Sequence, residues 1–318
     1  MRKFSDGRGE LACCEGKNIL SCQQIALDTT VLGQASMHIV PLQSTLDFQG
    51  TVADNLNAFH YTNKNIDLIL THNPKKDSVH GHAILADGRS FVIEYCGENL
   101  HALIEIDVDN LGEDIGLEEE NITDMNWSVK EVTDDDTVVT YSVKVYYTAD
   151  FASTTADIEG YLDQVIAETN QGYINSEVPL RIEVLCTEQA TINDIADPGE
   201  MLEAFQLMKG SYEELRDTAD VAVLLVNEFN PCGYGRVNSV TNGHNISVSK
   251  KKCALGYFSF GHEIGHNFGL QHNPEESHNS YYPDGHGHLI AQGSASTGYR
   301  TILAYQATGH RQDFLNTS

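Results

Sequence analysis

Three histidines at fixed spacing constrain this chain more than any other feature of its sequence. Residues 262–272 have the sequence HEIGHNFGLQH. On an α-helix, residues four apart lie on one face, so His262 and His266 can present their imidazoles to the same point. Gly269 can adopt a left-handed backbone conformation that ends the helix, and the turn would bring His272 back to that point. The pattern therefore predicts a helix, a sharp turn and three converging imidazoles.

Three converging imidazoles are typical of a zinc site. Histidine nitrogens bind zinc at about 2.0–2.1 Å, and three protein ligands leave a fourth position open for water, as in catalytic sites. Glu263 adjoins the first ligand and can act as general base on a water at that position. No CxxC pair occurs among the seven cysteines, which argues against a cysteine-based zinc site. We expect one zinc ion per chain, held by His262, His266 and His272.

The charge balance excludes some classes of partner. Lys and Arg number 19 and Asp and Glu number 46, which gives a formal net charge of −27. A surface of that sign repels nucleic acid and anionic lipid. No apolar run reaches the roughly 18 residues that a transmembrane helix needs. We therefore expect neither a nucleic-acid partner nor a membrane partner.

Composition divides the chain into four regions: an N-terminal tail at 1–19, a β-rich domain at 20–106, an acidic linker at 107–136, and a larger domain at 137–318. The linker is assigned because residues 107–136 are strongly acidic with little apolar periodicity. The β-rich domain is assigned from strand-like runs and from the hairpin signal Asp87-Gly88. These runs are Met37–Leu42, Ser90–Cys96 and His101–Ile106.

Residues 137–318 alternate between strand-like and helical segments. The predicted strands are Ser142–Thr148, Leu180–Cys186 and Ala219–Val226, and the predicted helices are Thr154–Asn170 and Pro198–Arg216. The continuous apolar run at Ala219–Val226 is typical of a strand buried on both faces. The alternation favours an α/β sheet with right-handed crossovers.

The histidine motif and its surroundings resemble the metzincins, whose signature is HExxHxxGxxH. Residues 138–318 are similar to the reprolysin-like (adamalysin-like) branch through YRTILAY (Tyr299–Tyr305), ELRDTADVAVLLVN (Glu214–Asn227), Cys232-Gly233, Cys253 and RQDFLN. The resemblance implies a secreted zinc endopeptidase of the α/β (α+β) class. It also implies a twisted mixed five-stranded sheet, an active-site helix and a small C-terminal subdomain.

The resemblance also implies roles for individual residues. Leu303 stands where the family has the Met-turn methionine, which packs beneath the metal ligands without binding the ion. Because a Leu–Met exchange usually costs under about 1.5 kcal/mol, we expect zinc binding to survive. Tyr305 is implied either to stabilise the transition-state oxyanion, as in some metzincins, or to be structural. Cys232 and Cys253 are implied to form a disulfide, the alternative being two reduced buried thiols.

The N-terminal part resembles a propeptide. The segment Gly88–Asp107, GRSFVIEYCGENLHALIEID, is similar to a propeptide segment of reprolysin-like zymogens, which implies that the chain is made as a zymogen. A thiolate is a good zinc ligand, so Cys96 could occupy the open metal position as a cysteine switch. The alternative is a structural or paired Cys96.

Two function classes follow. The first is a zinc endopeptidase that binds a protein or peptide substrate as an added strand along a sheet edge at Tyr234–Val237, a stretch that could instead be an ordinary edge strand. The second is a zinc-binding, catalytically weak protein that acts as an interaction module. Leu303 motivates the second class, and the intact Glu263 argues against it. The first residues have no apolar h-region, so secretion is expected from the resemblance alone.

Overall fold

The computed structural model describes residues 14, 18–112, 114–117, 137–239, 243–276, 282, 284–291, 298–305 and 310–312. Within these residues the chain forms an eight-stranded sheet, a six-stranded sheet and a three-stranded sheet. The eight-stranded sheet belongs to the N-terminal part, and the other two surround the histidine motif. No helix in the described part of the chain combines the length and apolar character needed to cross a membrane.

The N-terminal sheet is an antiparallel meander in which the first strand pairs with the last. Its strands are β1 Ile19–Ile25, β2 Ser36–Ile39, β3 Ser44–Val52, β4 Asn55–Asn63, β5 Ile66–Asn73, β6 Ser78–Leu85, β7 Ser90–Gly97 and β8 Leu100–Ile106. Their order is β1-β8-β7-β6-β5-β4-β3-β2. The Asp87-Gly88 turn joins β6 to β7 as predicted, with Gly88 at a φ of 86°. The N-terminal part is therefore β-rich, as its strand-like runs indicated.

The six-stranded sheet is mixed. Its strands are β9 Asp114–Leu117, β10 Val139–Tyr147, β11 Leu180–Gln189, β12 Val221–Val226, β13 Gly233–Arg236 and β14 Ile246–Lys250. Their order is β11-β10-β12-β14-β13-β9, and β13 is antiparallel to β14 whereas the other neighbours are parallel. Every residue of β12 is buried, as its continuous apolar sequence predicted.

Helices connect these strands and cover the sheet. They are α1 Ala149–Ser153, α2 Ile158–Asn175, α3 Pro198–Leu207, α4 Tyr212–Arg216, α5 Lys251–Ala254 and α6 Ser259–Asn267. Short 3-10 helices occur at Thr29–Val31 and Val108–Asn110. The small third sheet contains β15 Leu289–Ala291, β16 Gly298–Arg300 and β17 His310–Gln312. The third sheet lies in the C-terminal part that follows the histidine motif.

Two predicted helices have different boundaries in the structure. The single helix predicted for Pro198–Arg216 is wrong, because Gly210 has a φ of 90° and Ser211 caps a new helix by accepting a hydrogen bond from the Glu214 N–H. The helix predicted from Thr154 begins four residues later, at Ile158. At Gly210 and Ser211 a turn and a new cap divide an apolar pattern that looks continuous in the sequence, whereas Thr154 is the C-cap of α1.

The prediction of an acidic linker over 107–136 is wrong for its first part. Asp114–Leu117 forms β9, which pairs in parallel with β13 from Gly233↔Asp114 to Arg236↔Leu117. The sheet therefore has six strands instead of five, because the chain between the two large sheets contributes the sixth. Residues 118–136 lie outside the described residues.

Helix α2 packs between the two large sheets. The side of the helix that contacts the N-terminal sheet carries polar residues. Asp157, the residue before α2, accepts hydrogen bonds from Asn73 (3.1 Å) and from the Ser78 hydroxyl. Further along, Gln164 accepts from Thr71 (3.1 Å). Elsewhere in the contact, the buried Lys251 ammonium donates to Glu94 at 2.6 Å. The contact between the two parts of the chain thus combines buried hydrogen bonds and charge pairs with apolar clusters that both parts share.

Candidate active site

Helix α6 places the first two histidines of the motif side by side. It is nine residues long, and all nine are buried. His262 and His266 lie one turn apart on the face that points toward the C-terminal part of the chain, with ring centroids 4.6 Å apart. The helical spacing inferred from the sequence is therefore the arrangement in the structure.

A glycine turn brings the third histidine to the other two. Gly269 has a φ of 94°, and its N–H donates to the carbonyl of His266 (2.9 Å). The next amide, that of Leu270, donates to the carbonyl of Gly265 (3.0 Å), so both bonds satisfy carbonyls at the helix end. A residue with a side chain at Gly269 would be strained in this conformation. The turn that was predicted from Gly269 is thus formed by this backbone geometry.

The three Nε2 atoms converge on one point. They are separated by 3.0 Å (His262 to His266), 3.2 Å (His262 to His272) and 3.0 Å (His266 to His272). A tetrahedral zinc ion at about 2.0–2.1 Å from each nitrogen needs them about 3.3 Å apart. These histidines are the one group in the described part of the chain that brings three His, Cys, Asp or Glu ligand atoms close enough to hold a metal. Their spacing fits zinc.

Backbone carbonyls fix the orientation of two of these rings. Nδ1 of His262 donates to the carbonyl of Ile302 (2.7 Å), and Nδ1 of His266 donates to the carbonyl of Leu270 (2.9 Å). With the proton on Nδ1, the Nε2 lone pair of each neutral ring faces the common point. This is the tautomer that a metal ligand requires.

Burial keeps the three imidazoles neutral. It lowers the pKa of His266 to about 3, with a smaller contribution from His262. It likewise lowers the pKa of His272 to about 3, with a contribution from His266, and it lowers the pKa of His262 well below the ordinary value. Three neutral nitrogens facing each other without a proton between them repel, and a cation at their centre removes that repulsion. The donor set therefore fits a metal ion.

The turn at residues 301–305, which follows β16, packs against α6. A Cβ built on Gly265 would lie 3.1 Å from a methyl carbon of Leu303, so this side chain fills the space under α6. The Tyr305 ring stacks on the His272 imidazole with centroids 3.7 Å apart and an interplanar angle of 28°. The Tyr305 N–H donates to the Asn273 side chain (3.0 Å). Both residues singled out in this turn thus contact the helix or a histidine of the motif.

Glu263 lies next to β13. Its side chain is fully buried. The space beside β13 is available to it because Gly233 and Gly235 have no side chains there. A buried carboxylate next in sequence to the first of three converging imidazoles is typical of a metal-dependent hydrolase.

Hydrogen bonds and a disulfide hold β13 against α6 and α5. The Asn267 side-chain amide donates to the carbonyl of Arg236 (2.8 Å), and the Asn238 N–H donates to the carbonyl of His266 (2.7 Å). Cys232 and Cys253 form a disulfide, as the resemblance implied, and it joins the start of β13 to α5. The strand expected at Tyr234–Val237 is β13, displaced by one residue.

Sequence reasoning did not identify several supporting groups. Nδ1 of His286 donates to the carbonyl of His272 (2.9 Å), and a Cβ on Gly287 would overlap the backbone of Leu303 and Ala304. The guanidinium of Arg300 donates to the carbonyl of Ala304 and lies 4.9 Å from the centre of a tyrosine ring. Nothing in the sequence around His286, Gly287 and Arg300 indicated this packing.

The structure contradicts the cysteine switch. Cys96 is disulfide-bonded, so its sulfur is not available as a thiolate for a metal. Its partner lies outside the described residues. Cys14 and Cys22 form a further disulfide, and Cys186 is free and exposed, in line with the odd cysteine count. The alternative of a paired Cys96 is therefore the one that the structure supports.

Comparison with known proteins assigns the chain to a family. The model of metallo-peptidase family M12, Reprolysin_5, matches residues 137–315, which is more than half of the 318 residues. The chain therefore belongs to metallo-peptidase family M12. The resemblance drawn from the motif is confirmed by this match.

The chain is also similar to named endopeptidases. It is 28% identical over 245 residues to the peptidyl-Asp metalloendopeptidase of Stenotrophomonas maltophilia strain K279a, covering 73% of this chain and 58% of that protein. It is 30% identical over 141 residues to the peptidyl-Asp metalloendopeptidase of Pseudomonas fragi, covering 44% of this chain and 74% of that protein. The chain thus spans little more than half of the Stenotrophomonas relative.

A solved structure shows a more distant likeness. Metalloproteinase-II from Bacteroides fragilis aligns with 12% identity and a TM-score of 0.44, over 73% of this chain and 78% of that one. At this distance the likeness supports no statement about the site or its chemistry.

Proposed function

We propose that this protein is a zinc-dependent endopeptidase in which Glu263 is the general base. The observation that carries the proposal is the convergence of three buried Nε2 atoms, next in sequence to a buried carboxylate. Membership of metallo-peptidase family M12 supports it. When bound, zinc supplies Lewis acidity, which lowers the pKa of water and polarises the scissile carbonyl.

Each residue of the site has a separate role in the proposed reaction. His262, His266 and His272 hold the ion through Nε2, and the Ile302 and Leu270 carbonyls keep two of these rings in the ligating tautomer. Glu263 accepts the proton of the attacking water and delivers it to the leaving amine. The burial of α6 excludes bulk water from one side of the site, which strengthens the electrostatic interactions there.

A single substitution tests the role of Glu263. Glu263→Gln keeps the shape of the side chain and removes the base, so we expect about one zinc per chain and a fall in peptide hydrolysis of about 10²–10⁴-fold. Glu203→Gln, an exposed substitution on α3, is the matched control and should leave both quantities unchanged. A chelator should abolish the activity of the parent chain. Unchanged hydrolysis in Glu263→Gln would refute the proposed mechanism, and zinc without hydrolysis in the activated parent would favour the interaction-module alternative.

We further propose that the substrate is a protein or peptide bound as an added strand along β13. Main-chain hydrogen bonds from a sheet edge are a general way to hold an extended peptide. Because the relatives are named peptidyl-Asp metalloendopeptidases, we extend that specificity to this chain. Peptides that differ only by Asp or Asn at the scissile bond test it, and equal cleavage of both would contradict it.

We also propose that the protein is made as a latent zymogen and is secreted. The pairing of β9 with β13 supports latency, since it covers the edge that an added substrate strand needs. The disulfides support an oxidising compartment. A protease recognition sequence introduced within residues 118–136 tests latency: cutting there should raise hydrolysis at least tenfold, and equal activity before and after the cut would contradict it.

A further inference from the structure

Strand β13 carries glycine at the two positions that face Glu263. A Cβ built on Gly233 would overlap one carboxylate oxygen of Glu263 and would lie 2.7 Å from both its Cδ and its Cγ. A Cβ built on Gly235 would lie 2.5 Å from the other oxygen. Real Cβ atoms essentially never approach other heavy atoms within 3.0 Å. A side chain at either position would therefore take the space that the carboxylate occupies.

The backbone itself does not demand glycine at these positions. Neither Gly233 nor Gly235 is among the glycines with positive φ, and both pair regularly with β14, opposite Ser249 and Ser247. Glycine within a strand is otherwise unfavourable, because it loses more conformational entropy on folding and has no side chain to pack. The close approach of Glu263 is thus the feature that accounts for glycine here.

The surrounding contacts prevent the strand and the helix from moving apart to accommodate a side chain. The Asn267 amide holds the carbonyl of Arg236, and the Asn238 N–H holds the carbonyl of His266. The Cys232–Cys253 disulfide fixes the residue directly before Gly233. An added methyl group would therefore displace the Glu263 side chain before it displaced the strand.

We propose that Gly233 is a positioning residue for the general base, and that Gly235 assists it. Together their missing side chains form a slot that holds the Glu263 carboxylate against β13. Gly233 has the larger effect because its Cβ would overlap Cγ and Cδ of the side chain as well as an oxygen. The Cβ of Gly235 would overlap one oxygen, and its contacts with the main-chain carbonyl (3.1 Å) and Cβ (3.4 Å) of Glu263 are looser. This inference rests on the proposed role of Glu263.

Kinetics of two alanine variants give the first test. Displacing a reacting group by about 1 Å can cost about 100-fold, so Gly233→Ala should lower kcat about 100-fold, with KM within about twofold and zinc content unchanged. Gly235→Ala should lower kcat less. Gly199→Ala on α3, where a Cβ would make only a 3.4 Å contact, is the matched control. A change confined to KM would mean that Gly233 serves substrate binding at the edge, and it would overturn the proposal.

A thermal double-mutant cycle on the full metal-free chain gives a readout that does not depend on activity. Gly233→Ala should lower the Tm by about 5 °C, because the methyl overlaps the buried Glu263 side chain. In Glu263→Ala, which ends at Cβ, the same substitution should have no effect on the Tm. An equal loss in both backgrounds would overturn the proposal. Because the cycle needs no hydrolysis, it also decides the matter if the parent chain proves to be no peptidase.

Discussion

Two groups of buried histidines in this chain have opposite surroundings. The triad in the C-terminal part consists of His262, His266 and His272, whose Nε2 atoms face one another. The pair on β6 of the N-terminal sheet consists of His80 and His82, which are equally buried. Nδ1 of His82 lies 3.3 Å from a carboxylate oxygen of Glu168. Nε2 of His80 lies 4.0 Å from a carboxylate oxygen of Asp157.

The difference shows that burial alone does not make a histidine a metal ligand. In the triad, backbone carbonyls accept the Nδ1 protons of His262 and His266, and the three Nε2 atoms converge on one point. On β6 each imidazole instead faces one carboxylate: His82 faces Glu168 of α2, and His80 faces Asp157, the residue before α2. The first arrangement needs an added cation, and the second joins two parts of the chain.

Replacing one histidine of each group by glutamine should give the largest difference in zinc content. His266→Gln removes a ligand, so the zinc content should fall from one per chain to nearly none and hydrolysis should become undetectable. His82→Gln should leave the zinc content at one per chain and change only the stability. Metal analysis of both variants checks this, and loss of zinc in His82→Gln would show that the two groups are not independent.

Truncating Asp157 should give the next largest effect. Asp157→Ala leaves the buried Asn73 and Ser78 side chains without their acceptor, which should cost about 2–4 kcal/mol of unfolding free energy. Zinc content should be unchanged, because the substitution is in the contact between the sheets. Chemical denaturation of the zinc-loaded chain measures the loss. A change under 0.5 kcal/mol, which is about what an ordinary surface substitution causes, would show that this cluster does not stabilise the fold.

The triad was predictable from the sequence because its geometry is local. Four residues of helix and one glycine turn determine where His262, His266 and His272 lie, and these distances along the chain are short. The contacts that support the triad were not predictable in the same way. Backbone carbonyls such as that of Ile302 leave no signature in the sequence, and the slot beside Glu263 depends on glycines about thirty residues away.

Long-range pairing also explains the errors in the N-terminal part. An acidic composition made residues 107–136 look like a linker, yet four of them, Asp114–Leu117, form a strand because β13 offers an open edge. Cys96 next to Gly97 suggested a metal-binding thiolate, and only the fold shows that the sulfur is in a disulfide. In both cases the outcome depends on a partner that is distant along the chain.

Tyr305 allows a finer test of the triad. Its ring stacks on His272, so Tyr305→Phe keeps the stacking and removes only the hydroxyl. If the hydroxyl stabilises the transition-state oxyanion, kcat should fall about tenfold or more with unchanged zinc content. Steady-state kinetics check this, and an unchanged kcat would limit Tyr305 to supporting the third ligand.

The pH dependence of stability isolates the smallest effect, that of His80. Burial lowers the pKa of His80 in the folded chain, against about 6.5 when unfolded. Below pH 6.5 the unfolded chain therefore binds more protons at this residue, and stability should fall by about 1 kcal/mol per pH unit. In zinc-loaded His80→Gln this slope should be smaller by that amount, whereas the exposed substitution His38→Gln should leave it unchanged. Equal slopes in all three proteins between pH 6.5 and 5.5 would mean that protonation of His80 does not lower the stability of the folded chain. The carboxylate of Asp157 would then compensate fully for the burial of the charge.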